Sequence, residues 1–217
     1  MNLLKKVTDG VAVHVQDGVT FISSIKLLTA AAAITECSIY NASMYKNDIT
    51  NPLTNLVTNG DFSSTVTTEW GAATGWAQSG TKIGHTGGTT ALTQDLGEAS
   101  GDLFSVTFTV SGFTAGTIQA SIGGVTLSSR AANGTFTELA RASGNTNFAL
   151  TPNDAFRGSL SNIEVYKVGD ATDIVDNYKL ATANETKSIV FSPDPLYLSK
   201  GCICFITGSG GEANFYG

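Results

Sequence analysis

The chain is 217 residues long, with 24 glycines, 14% charged residues and a formal net charge of −6. That length leaves room for one large or two small domains with a sizeable core, and the composition argues against helical bundles and against a disordered tail. An acidic surface carrying 12 Lys and Arg in all repels a phosphate backbone, so nucleic acid is not an expected partner.

Met1-Asn2-Leu3-Leu4-Lys5-Lys6 is followed by Val7-Thr8-Asp9-Gly10 and not by an apolar run, and the patch around Leu27 to Ile34 is too short to span a bilayer. Synthesis in the cytoplasm without export, and no membrane partner, are the expectations. Alternation begins at Val11, with Val11, Val13 and Val15 on one side and Ala12, His14 and Gln16 on the other. Gln16-Asp17-Gly18 makes a turn, and Val19, Phe21, Ser23, Ile25 and Leu27 read as the next strand. Thr35, Cys37 and Ile39 give a third. Three strands carry too little apolar surface to stand alone. Residues 42–55 then read as an exposed connection.

The middle of the chain carries its own set of strands. Leu56-Val57-Thr58-Asn59-Gly60-Asp61-Phe62 reads as a strand entering a tight corner built on Asn-Gly. Phe104 to Val110 places Phe and Val on one face and Ser and Thr on the other. Ile118, Ala120 and Ile122 repeat the pattern up to Gly123-Gly124, and Phe136 with Leu139, Phe148 with Leu150, and Ile163 with Val165 complete the series. Short strands with turn signals between them indicate a sandwich. After a polar link at 169–173, strand patterns return at Tyr178–Ala181, Ser188–Phe191, Leu196–Leu198 and Cys202–Ile206, with Pro193 and Pro195 marking a bend or a sheet edge. Again they are too few for a separate core.

The "N-L-V-T-N-G-D-F" of residues 55–62, answered by Gly75-Trp76 and by Leu160-Ser161-Asn162-Ile163-Glu164-Val165-Tyr166, resembles jelly-roll carbohydrate-binding modules, which also occur in bacteriophage structural proteins. The outer pieces, joined, resemble a compact β-domain of phage virion proteins through Asp17 to Ile25, Ile39 to Asn41, Phe191 to Gly201 and Thr207 to Gly210. The expected fold is therefore all-β. Residues 1–50 and 170–217 would make one small discontinuous β-sandwich, and 53–168 an inserted jelly roll whose ends lie close together. The resemblance implies a capsid decoration or cement protein of a virion, with the major capsid protein and itself, as a homotrimer, for partners. Weak adhesion to cell-surface glycans would be an added property, and a tail-associated glycan-binding adhesin is the alternative.

Trp70 and Trp76 are the only tryptophans, and aromatic planes stack on sugar faces, so both are candidate glycan platforms. The competing reading places Trp76 in the jelly-roll core. Asp61 and Asn162 match the structural calcium site that many such modules carry near their ends; no other cofactor is expected. Calcium wants several oxygens, usually with more than one carboxylate, and Asn162 stands where an acid is often found. Asn59 or Asp61 holding a turn through hydrogen bonds is the preferred alternative. His14 and His85 belong to no catalytic spacing, and Glu69, Glu98, Glu138 and Glu164 make a carboxylate pair only if folding brings two together. Catalysis is not expected. Cys37, Cys202 and Cys204 read as small buried apolar residues kept reduced.

Overall fold

The computed structural model describes residues 3–8, 12–17, 20–22, 24–29, 34–41, 53–66, 69–70, 74–97, 100–145, 147–169, 174–180, 186–190, 196–198, 201–208 and 211–216, which hold nineteen strands and no helix. Residues 42–52 and 170–173 of the connections read at 42–55 and 169–173, the Pro193–Pro195 bend and Glu98 lie outside the described residues. Two units divide the chain: one made of Met1–Pro52 with Val168–Gly217, the other of Leu53–Lys167. The fold class is all-β and sandwich-like, with antiparallel sheets.

The discontinuous unit takes β1 (Leu3–Thr8), β2 (Ala12–Asp17), β3 (Thr20–Ile22), β4 (Ser24–Thr29) and β5 (Ile34–Asn41) from the front of the chain. From the back it takes β15 (Ile174–Leu180), β16 (Thr186–Val190), β17 (Leu196–Leu198), β18 (Gly201–Gly208) and β19 (Gly211–Tyr216). Its sheets run β1-β19-β4-β16 and β15-β5-β18-β2, with β17-β3 as a two-stranded ribbon. Every registered pairing in these sheets joins a front strand to a back strand. Among the described residues neither end of the chain makes a sheet by itself. Within the stretch read as one strand from Val19 to Leu27, the described residues make β3 and β4, which belong to different sheets.

The second unit contains β6 (Trp76–Ser79), β7 (Lys82–His85), β8 (Leu92–Asp95), β9 (Leu103–Ala115), β10 (Ile118–Ile122), β11 (Val125–Arg130), β12 (Gly134–Arg141), β13 (Asn147–Pro152) and β14 (Arg157–Gly169). Its sheets are β12-β9-β14-β7-β6 and β11-β10-β13-β8, so the chain crosses from one to the other repeatedly. Phe104, Val106, Phe108 and Val110 of β9 face inward and meet Ile118, Ala120 and Ile122 of β10, Phe148 and Leu150 of β13, and Leu160, Ile163 and Val165 of β14. On the other face of β9, Thr107 and Thr109 share hydroxyl hydrogen bonds with Thr137 and Thr135 of β12, at 2.9 and 2.8 Å. Gly123 and Gly124, with φ of 55° and 83°, form the two-residue turn between β10 and β11, where both central residues need a positive φ.

The two ends of this unit meet. Leu56 N–H donates to Val165 O at 2.8 Å, Asn55 bridges Tyr166, and the Asn55 side-chain carbonyl accepts from Val165 N–H at 2.9 Å. Residues 56–62 are not a ladder strand as expected. Beyond Asn55 the chain is held by side chains and single backbone bonds, because its turn begins at Thr58.

Candidate functional site

The corner after Val57 is tied by backbone and side-chain hydrogen bonds. Asn59 and Phe62 both have φ of 52°, and Phe62 N–H closes a turn onto Asn59 O at 3.3 Å. Gly60 lies against β14, with Ile163 N–H donating to its carbonyl at 2.9 Å; a Cβ at Gly60 would sit 2.0 Å from Ile163 O. Only glycine fits there.

Two glutamines hold the corner from inside. Gln78 Nε2 donates to Phe62 O at 2.7 Å and Ser64 O at 2.9 Å, while its Oε1 accepts from Val66 N–H at 3.2 Å. Gln94 brackets Thr58, accepting from its N–H at 3.0 Å and donating to its carbonyl at 2.6 Å. Both sit at inward positions of their strands, in step with Trp76 and Leu92, where alternation calls for an apolar side chain. That mismatch is the sequence signal that could have revealed them.

Trp70 and Trp76 are 2% and 8% exposed and both belong to the core. Trp70 packs 5.8 Å from Phe62 and 6.3 Å from Phe148, and its Nε1–H donates to Asn59 O at 3.2 Å. Trp76 donates to Thr90 O at 2.8 Å and meets the His85 ring edge-on at 4.8 Å. A sugar needs an open aromatic face. Neither indole has one: Trp76 fills the core, as the reading set against the platform has it, and Trp70 packs there too.

Asp61 and Asn162 are exposed and lie on adjacent backbone, since Gly60 bonds Ile163. One Asp61 carboxylate oxygen accepts from Ser63 N–H at 3.1 Å and Ser63 Oγ–H at 3.0 Å. These bonds, the backbone one first, hold its carboxyl below the usual aspartate value. Asn59 does the same further along, exchanging bonds with Ser64 N–H and Ser64 O at 3.0 and 2.9 Å. Asn162 has φ of 49° in the middle of β14, and on either side of it Leu160 and Ile163 both point into the core. The strand changes phase there, and asparagine tolerates the left-handed backbone this requires. The bonds of Asp61 are those of a turn and the backbone of Asn162 is that of a bulge, and among the described residues no group of three or more His, Cys, Asp or Glu comes together.

His85 is 6% exposed. Its Nδ1–H donates to Phe156 O at 2.8 Å, fixing the tautomer, and its Nε2 has no hydrogen-bond partner among the described residues. Glu138 is drawn into a clasp between the edge strands β11 and β12. It accepts from Ser128 N–H at 3.2 Å, Ser128 Oγ–H at 2.7 Å and Arg130 at 2.5 Å, and Arg130 lies 4.7 Å over the Phe136 ring. Asp102, buried in the same unit, pairs with Lys167 at 3.1 Å. The chain matches no family model, no curated protein and no solved structure.

Proposed function

We propose that the chain is a non-enzymatic structural protein of a bacteriophage particle, a capsid decoration or cement protein. The observation that carries this reading is the insertion. A guest closed on itself at Asn55 and Tyr166 is carried by a host whose sheets mix strands from both chain ends. Such a guest can be displayed without altering the host's own surface, which suits a protein that docks with one unit and presents the other. The likeness of the outer segments to a phage virion domain supplies the setting. Docking would bury apolar patches and strand edges against the major capsid protein and against copies of the chain in a closed symmetric assembly, and the resemblance to decoration proteins suggests a trimer. With both indoles buried, the adhesin reading loses the aromatic platform it relied on.

Sedimentation of the protein alone, then with particles that lack it, tests the proposal. The expected results are an assembly near three times 22.5 kDa and saturable addition to the particle surface. A monomer that adds to no particle at any concentration overturns it.

A further inference from the structure

We propose that Cys37 and Cys204 form a redox couple, which a hydroperoxide oxidant joins into a reversible disulfide tying the front segment of the discontinuous unit to its back segment. Both thiols are buried and outside any disulfide, and their Sγ atoms lie 3.8 Å apart across 167 residues of sequence. Strand pairing brings them together. β5 and β18 are neighbours, with Cys37 opposite Ile206 and Cys204 opposite Ile39, so the cysteines are diagonal partners on one face.

Sulfur atoms at that distance are in van der Waals contact, and a rotamer change with a slight approach of the strands closes the gap. Diagonal partners in a sheet stand about 7–8 Å apart between Cα atoms, at or beyond the usual disulfide span. The bridge therefore forms under strain, and strained disulfides are the ones readily reduced again. This makes the pair a switch and not a permanent staple. Closing it restricts the unfolded chain over the 167 residues between the two cysteines, so the oxidised unit resists opening more than the reduced one.

Burial selects a small oxidant. One thiolate attacks hydrogen peroxide, the O–O bond breaks, hydroxide leaves, and that cysteine becomes a sulfenic acid. The second thiolate attacks the sulfenic sulfur; the S–S bond forms as the S–O bond breaks, and the departing hydroxide takes up a proton. Two thiols and one peroxide give one disulfide and two waters, the two sulfurs supplying the two electrons that reduce the peroxide. Each attack waits on local opening of the sheet, so the reaction is slow.

The test treats the full chain with hydrogen peroxide while circular dichroism reports that it stays folded. Remaining thiols are then blocked with a maleimide, and the peptides are mapped by mass. The expected product is a peptide pair joined through Cys37 and Cys204, released by dithiothreitol without denaturant and accompanied by an upward shift in Tm. Cys202→Ser retains that product. Cys37→Ala and Cys204→Ala lose it, and if either fails to fold the wild-type peptide map decides alone. Recovery of Cys37 and Cys204 as maleimide adducts or as separate sulfinic acids overturns the proposal. Joining through Cys202 instead does so as well.

Discussion

Gln78 satisfies two carbonyls and one amide of the corner that follows Val57, and no apolar residue can replace it there. Gln78→Leu is expected to cost about 1–3 kcal/mol, the penalty for leaving partly buried polar groups unpaired, read as a lower midpoint in urea unfolding. Asp61 belongs to the same corner and acts through charge. Its carboxyl is depressed by hydrogen bonds from Ser63, so it adds stability above its unfolded-state pKa and loses it as pH falls through the lower folded-state value. A carbon-detected titration should place its midpoint below that of an aspartate in an unfolded peptide, and Ser63→Ala should move it up. The two tryptophans show why residue type alone misleads. An indole is as well suited to a core as to a sugar, and the partners that decide the matter, Asn59 O and Thr90 O, are backbone atoms that sequence does not distinguish.

At the scale of elements, Gly60 and β14 depend on each other. Gly60→Ala would drive a Cβ into Ile163 O, and since that neighbour is backbone it cannot swing aside. A loss of about 3 kcal/mol is expected, the upper range for overpacking, with amide shifts confined at first to residues 58–62 and 160–166. Asn162 works the other way: its left-handed φ keeps Leu160 and Ile163 both in the core, and glycine there should be tolerated. Strands with strict alternation, such as β9 from Phe104 to Val110 and β10, were legible because one face of each stretch is apolar. β1 and β19 were not. Leu3-Leu4-Lys5-Lys6-Val7-Thr8 lacks a period of two, Gly211-Glu212-Ala213-Asn214-Phe215-Tyr216 alternates only at Ala213 and Phe215, and what makes them strands is pairing, β1 with β19 and β19 with β4. β11 escaped notice similarly, its Val125 and Leu127 followed by Ser128, Ser129 and Arg130, whose partners lie on β10 and β12.

For the whole molecule, the pairing of front with back strands sets how folding must proceed. Leu3 pairs with Tyr216, and such distant contacts are slow to form because the loop between them must close first. Folding of residues 53–167 shortens that loop, since the bonds from Asn55 and Leu56 to Val165 and Tyr166 hold its two ends together. The chain cut after Asn51 should show no cooperative transition, its strands having lost every registered partner. Residues 53–167 alone should unfold in one step. The two-unit plan was readable from where strand patterns ran short of a core; the interleaving within the outer unit was not, because strand patterns carry no information on which strand pairs with which.

Native-state hydrogen exchange of the full chain tests this organisation most directly. Amides of β4, β5, β18 and β19 are expected to open together at one free energy, and those of β9, β13 and β14 at another. Protection of β4 and β5 that outlasts the opening of β18 and β19 would contradict it, as would a single opening shared by all seven strands.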